Sequence, residues 1–244
     1  MNSQREMPFL AHLEELRWRV IKIALSVLVF AIPGWIYWEK IFELVMLYPL
    51  RLSSPTPKLI YTTPAESVVL SLKIALATGV IAAAPVIFFQ IWHFVSPGLY
   101  GKEKKVVLPV VLASTILFIM GIMFSYLTFP YVMRFLTMYA AEKLNPFFKA
   151  GDYFSFLLKI SFSFGVIFEL PVVSFVLARM GILSAKFLLR NFRYAIVLIF
   201  IVAAVLTPPD VLSQTFMALP LMVLYLISVA VAGVAGRRSK SIQG

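Results

Sequence analysis

Six apolar runs that are almost free of charged side chains constrain this chain more than any other feature. A helix needs about 20 mostly apolar residues to cross the roughly 30 Å hydrocarbon core of a bilayer. The six runs have about this length and cover residues 20–38, 74–95, 106–133, 153–178, 194–209 and 213–234. We therefore predict an all-α, polytopic membrane protein with six transmembrane helices in a single domain, residues 1–244.

The composition agrees with this class and excludes several kinds of functional site. Charged residues make up 14% of the chain, whereas soluble domains carry about 25%. The absence of cysteine excludes disulfides, thiolate metal sites and cysteine nucleophiles, and two histidines are too few for an ordinary zinc centre. No H-E-x-x-H, G-x-S-x-G, P-loop or G-x-G-x-x-G motif is present. We expect no catalytic residues, no metal, no cofactor and no enzymatic activity.

Basic residues predict the orientation of the six spans. Short cytoplasmic loops are rich in Lys and Arg, and the loops on the side of the two termini hold fourteen such residues against six on the opposite side. Both termini are therefore predicted to be cytoplasmic. The net charge of +11 then reflects orientation and attraction to anionic lipid, and it does not predict nucleic-acid binding. Residues 1–20 lack the layout of a cleaved signal peptide, so we expect the first span to be retained.

The outer side of the protein is predicted to be capped and to contain an unusually short hairpin. Residues 41–48 have apolar side chains at helical spacing, which indicates a short interfacial helix. The fifth run has 16 uncharged residues, about 24 Å of helix. A tight structural turn, Pro208, Pro209 and Asp210, joins it to the sixth run. A short hairpin would place Asp210 and Gln214 below the usual outer surface or thin the bilayer locally.

Glu169 is the costliest residue of the chain to place in a membrane. An ionisable group well inside a span costs several kcal/mol unless it finds a partner or water, which makes Glu169 a candidate functional residue. Lys159 is 10 residues away, too far around the helix to pair with it directly. Pro171 predicts a kink close to Glu169. The alternative is a neutral, structural Glu169 hydrogen-bonded to an intramembrane amide, Gln90 or Gln214.

Carboxylates are scarce on the basic side, and this scarcity suggests a binding function. Only four acids lie there, which are Glu6, Glu14, Glu15 and Glu103. A cationic ligand would be repelled except where a carboxylate is presented. Planar guanidinium groups gain the most binding energy there, because they donate two parallel hydrogen bonds to one carboxylate. Glu15 and Arg19 are also spaced i to i+4 on the predicted helix before the first span.

Four ordered motifs carry a resemblance to a known family. They are H-L-E-E-L-R from His12, F-V-S-P-G-L-Y-G-K-E-K-K from Phe94, F-G-V-I-F-E-L-P-V-V from Phe164 and T-P-P-D-V-L-S-Q from Thr207. Together they resemble TatC, the polytopic subunit of the twin-arginine protein translocase, along nearly the whole chain. The resemblance implies a protein of the bacterial cytoplasmic (inner) membrane that binds twin-arginine signal peptides of folded cargo. It also implies export driven by the proton-motive force.

The resemblance further implies roles for individual residues and partners. Glu15 and Glu103 would contact the arginine pair of the signal, with Arg17 and Arg19 shaping the same helix. Thr207 and Gln214 would lie near the docking groove for single-span subunits of the TatA/TatB type. Self-association within the receptor complex is also expected. Many family members have a glutamate after an aromatic residue in the last span, whereas Leu226 stands there here, so the partner helix would dock by packing alone.

Two other function classes remain open from the residues. A secondary transporter for a small cation or proton-coupled solute would use Glu169 and Lys159, although the chain lacks the inverted repeats that usually accompany this function. An assembly scaffold without ligand specificity would explain the spans but not the isolated acids of the basic side.

Overall fold

A computed structural model of the chain describes residues 9–52, 58–95, 107–140, 147–206 and 211–240. These residues form ten α-helices, one π-helical turn and two short strands. The helices are α1 (Phe9–Ile36), α2 (Trp38–Phe42), α3 (Tyr48–Leu52), α4 (Pro64–Val95), α5 (Val107–Ala140), α6 (Ala150–Ile167), α7 (Leu170–Arg179), α8 (Ala185–Arg190), α9 (Phe192–Leu206) and α10 (Val211–Lys240). The strands are β1 (Lys58–Ile60) and β2 (Phe147–Lys149).

The helices match the predicted all-α membrane architecture. Five helical segments are long and apolar enough to cross a bilayer, and a shorter apolar helix, α9, corresponds to the fifth predicted span. The five are α1, α4, α5, the α6–α7 pair and α10. The long helices extend beyond the apolar runs. Helix α4, for example, has 32 residues and is about 48 Å long. The polar residues at its ends can therefore lie outside the hydrocarbon layer.

The fourth span is broken where the sequence predicted a kink. Helix α6 ends at Ile167 and α7 begins at Leu170, so Glu169 lies in the break and Pro171 in the first turn of α7. Proline is tolerated in the first turn because the missing N–H would have no partner within the helix there. The break positions the Glu169 carboxylate at a junction between two helices.

The short helix predicted after the first span is present, and two tyrosines hold it to the bundle. It consists of α2, a π-helical turn over Glu43–Leu47 and α3. The Tyr126 hydroxyl donates to the Leu44 carbonyl at 2.6 Å, and the Tyr153 hydroxyl donates to the Met46 carbonyl at 3.3 Å. A π-turn disturbs the regular helical hydrogen bonding, and these hydroxyls bind carbonyls within it.

Glu66 connects the two outer segments of the chain. Strands β1 and β2 pair in parallel, and Glu66 follows β1 in the first turn of α4. Its Oε2 accepts from the Thr62 amide at 2.9 Å and its Oε1 accepts from the Gly151 amide at 3.0 Å, in the first turn of α6. Lys149 lies 3.9 Å away. A carboxylate is favourable at helix N-termini, so Glu66 stabilises the starts of α4 and α6 together.

The bundle core lies around α6. Phe154, Leu157, Ile160 and Phe164 of this helix are almost fully buried against side chains of the outer helices and of α4, α5, α9 and α10. A second cluster joins α4, α5 and α7 around Phe88. Helix α1 packs mainly along α4, and α10 mainly along α7. The N-terminal end of α1 is therefore held beside the C-terminal end of α4, where the candidate site lies.

Candidate functional site

Glu15 and Arg19 form an ion pair on the first turns of α1. The Arg19 Nε donates to Glu15 Oε1 at 3.0 Å, and Arg19 Nη2 donates to the same oxygen. Residues four apart face each other on a helix, so the sequence spacing alone predicts this pair. The Glu15 side chain is 26% exposed and that of Arg19 is 12% exposed. The carboxylate of Glu15 thus already holds a guanidinium group.

Gln90 of α4 binds the other side of the Arg19 guanidinium. Arg19 Nη1 donates to Gln90 Oε1 at 3.4 Å and to the Gln90 carbonyl at 3.5 Å. These are long bonds compared with the usual 2.7–3.2 Å. Arg19 therefore bridges α1 and α4, with its stronger contacts on Glu15.

The second carboxylate oxygen of Glu15 is buried and has no hydrogen-bond partner among the described residues. The imidazole Nδ1 of His12 lies 3.8 Å from this oxygen. The His12 ring stacks on Phe94 at a centroid distance of 4.3 Å. His12 is thereby held between the carboxylate and the end of α4, and Glu15 Oε2 retains acceptor capacity.

Arg17 and Glu14 point away from this pair. The Arg17 guanidinium lies 5.5 Å from the centre of the Trp18 ring, a cation–π geometry. Glu14 is exposed to the surroundings, whereas Glu15 is partly buried. Two adjacent acids of the same type therefore occupy different environments, which makes Glu14 a matched control for Glu15.

Glu169 lies in an apolar groove formed by α4, α5, α6 and α7. The groove has a volume of about 530 Å³, and the side chains of Phe88, Trp92 and Phe118 contribute to its walls. Glu169 is 8% exposed, and neither carboxylate oxygen has a hydrogen-bond partner within the described ranges. The nearby Ser114 hydroxyl accepts from the Trp92 indole at 2.8 Å. Ser114 is thus the polar side chain that interacts with Glu169, and the other walls of the groove are apolar.

The two amides expected as hydrogen-bond partners of a neutral Glu169 bind elsewhere in the structure. Gln90 binds Arg19, and Gln214 Nε2 donates to the Phe200 carbonyl at 2.8 Å. Lys159 donates to the Val205 carbonyl near the end of α9. Gln90, Gln214 and Lys159 therefore each have a partner other than Glu169, because the helices present them to different neighbours.

Several predicted site residues lie outside the described residues. These are Glu103, Thr207, Pro208, Pro209 and Asp210. Within the described ranges, no group of three or more His, Asp or Glu residues has the arrangement of a metal site.

Sequence reasoning missed two interhelical contacts of the site region. Gln90 was assigned to the membrane interior, whereas it is the partner of Arg19. The Trp92 indole of α4 donates to the Ser114 hydroxyl of α5, a contact that no sequence pattern indicates. A glutamine two residues before Trp92 on a helix end near the basic side was a usable signal, but only the packing of α1 against α4 selects Arg19 as its partner.

Comparisons with known proteins identify the family. The family model described as Sec-independent protein translocase protein (TatC) matches residues 11–220. The chain belongs to the TatC family. The TatC protein of Desulforapulum autotrophicum is 40% identical over 240 residues, which is 98% of this chain and 89% of the relative. TatC of Aquifex aeolicus is 37% identical over 242 residues, covering 97% of this chain and 99% of the relative.

Solved structures of the TatC family share the fold. A crystal structure titled Twin Arginine Translocase Receptor TatC superposes with a TM-score of 0.78 at 34% identity and covers 92% of this chain and 99% of that chain. A second one, in DDM, gives a TM-score of 0.81 at 35% identity and covers 91% and 99%. The predicted family is confirmed. As a TatC family member, the chain is a multi-pass membrane protein and a component of the Sec-independent, twin-arginine protein translocase.

Proposed function

We propose that this protein is the receptor that binds twin-arginine signal peptides of folded cargo at the cytoplasmic face of the bacterial inner membrane. The observation that supports the proposal is the Glu15 carboxylate, which is partly exposed and already holds a guanidinium group. A site that accommodates the guanidinium of Arg19 has the shape and charge for the arginine side chain of a peptide.

The chemistry of the proposed ligand follows from the two acids. An arginine guanidinium is planar and binds a carboxylate through two parallel hydrogen bonds, whereas a lysine ammonium acts as a point charge. Glu15 would bind one arginine and Glu103 the second. Because the surrounding loops are basic, a peptide gains affinity only where these acids are presented. The two carboxylates therefore select an arginine pair.

The second part of the proposal concerns the other subunits of the translocase. Single-span subunits of the TatA/TatB type would dock along α9 and α10, near Thr207 and Gln214. The Gln214 amide is used within the hairpin, whereas Leu226 and Val205 are about half exposed or more. An apolar partner helix would therefore contact this surface mainly by packing. Export itself would be driven by the proton-motive force.

The test compares two neighbouring acids. Affinity for a synthetic signal peptide with Arg-Arg, and for its Lys-Lys twin, is measured by fluorescence anisotropy on the purified protein in detergent. Glu15→Gln and Glu103→Gln should each weaken Arg-Arg binding by about tenfold or more, because a charge-assisted pair contributes about 1.5–3 kcal/mol. Glu14→Gln removes the same charge from an exposed position and should change the affinity by less than about twofold. Equal losses in Glu14→Gln and Glu15→Gln would leave only a general electrostatic effect and refute the site.

A further inference from the structure

In the structure, the Glu15 carboxylate already pairs with a guanidinium group of the chain itself. Arg19 gives two donors, Nε and Nη2, to the single oxygen Oε1 of Glu15. The other oxygen, Oε2, is buried beside His12. A bidentate pair needs both oxygens of the carboxylate facing one guanidinium. A second arginine cannot form this pair while Arg19 remains on Oε1.

We propose that Arg19 is an internal competitor that occupies the Glu15 carboxylate at rest and must release it before a peptide arginine can bind. The inference rests on the proposed peptide-binding function of Glu15. Binding is then an exchange of one guanidinium group for another on the same carboxylate. The stability of the Arg19–Glu15 pair therefore lowers the apparent affinity of the receptor for the peptide.

Gln90 supplies hydrogen-bond acceptors for the Arg19 guanidinium after it leaves Glu15. Its side-chain and main-chain oxygens lie 3.4 and 3.5 Å from Arg19 Nη1, so a small movement toward α4 can shorten both bonds. The released guanidinium keeps two acceptors and is not left unpaired. Both acceptors belong to one residue of α4, which makes Gln90 the positioning residue of the exchange.

Internal competition makes a quantitative prediction that other roles of Arg19 do not make. A competitor lowers the apparent affinity of every ligand for Glu15 by the same factor, which is one plus the equilibrium constant for the closed pair. Removing it raises the affinities for the Arg-Arg peptide and for the Lys-Lys twin equally. An Arg19 that instead shapes the site for arginine would, when removed, weaken Arg-Arg binding and reduce the preference for arginine.

The first measurement is the affinity of both synthetic peptides for the full chain in detergent and for Arg19→Gln. We expect both affinities to increase by about three- to tenfold, with their ratio unchanged. This range corresponds to an Arg19–Glu15 pair whose free energy lies between that of an exposed and that of a partly buried ion pair. Lys22→Gln is the control for charge, because Lys22 is exposed one turn further along α1. It should change either affinity by less than about twofold.

A second variant tests the exchange without altering Glu15 or Arg19. Gln90→Glu offers Arg19 a carboxylate at position 90, and it should therefore tighten binding of both peptides. In the Arg19→Gln background the same change should add nothing, since no internal arginine is left to move. A gain from Gln90→Glu that persists without Arg19 would be direct attraction of the peptide to the new charge and would overturn the competition.

The outcomes separate this inference from the proposed function. If Glu15→Gln abolishes selective binding and Arg19→Gln also weakens it, the receptor function stands and the internal competitor is refuted. If Glu15→Gln leaves binding unchanged, the proposed function of Glu15 fails first. If Arg19→Gln does not fold, the comparison of Gln90→Glu with the unmodified protein decides, because absence of any tightening there contradicts the exchange.

Discussion

The contact between α1 and α4 leads to a sharp prediction about Gly79. This residue lies where the two helices are in close contact, and a methyl group at its position would be 2.5 Å from the Val27 carbonyl oxygen and 3.0 Å from the Ala31 Cβ. Ordinary contacts of this kind are 3.4–4 Å long. Gly79→Ala therefore requires α1 to move away by about 1 Å, because the obstructing atom belongs to the backbone.

The expected cost follows from the effect of overpacking. Inserting one methyl group into a closely packed interface costs about 1–3 kcal/mol, and 1 kcal/mol shifts the Tm of a protein of this size by about 2–4 °C. We expect Gly79→Ala to lower the Tm by about 2–12 °C in thermal unfolding of the purified protein in detergent. The movement should also lengthen the Arg19–Gln90 bonds, which connect the same two helices.

The matched control is Gly233→Ala on α10. A methyl group there would lie 3.6 Å from the Ala185 Cβ, an ordinary contact, and alanine favours helix by up to about 1 kcal/mol relative to glycine. This variant should keep or raise the Tm. A Tm for Gly79→Ala equal to or above that of Gly233→Ala would show that the close approach of α1 and α4 does not constrain the fold.

Three further predictions concern polar groups of the bundle. Glu66→Gln should lower the Tm, because the Thr62 and Gly151 amides donate to different oxygens of the carboxylate and one of these would become an NH2 donor, whereas the exposed Glu39→Gln should not. Tyr153→Phe should cost about 1 kcal/mol in detergent unfolding through the lost bond to the π-turn, while Tyr131→Phe, 71% exposed, should be neutral. Glu169→Leu should raise the Tm, because a carboxyl buried in an apolar groove costs about 1–3 kcal/mol, and export of a twin-arginine cargo should fall. A lower Tm for Glu169→Leu would indicate a stabilising partner of the carboxylate.

Local patterns in the chain predicted several features that depend on near neighbours. The apolar runs predicted the spans, because crossing a bilayer requires an uninterrupted length of apolar helix. The i to i+4 spacing predicted the pair of Glu15 and Arg19, and Pro171 predicted the break before α7. Each of these features involves residues at most a few turns apart, where helix geometry alone sets the distances.

Tertiary structure decided which polar side chains meet across helices. Arg19 and Gln90 are 71 residues apart, and their contact depends on how α1 and α4 are rotated and offset along their length. The same holds for Glu66 and Gly151, 85 residues apart. Hydropathy identifies a span but not the direction in which a given side chain points. For this reason the sequence alone determined the membrane class, the number of spans and the Glu15–Arg19 pair, whereas packing assigned Gln90 to Arg19 and placed Glu169 in an apolar groove.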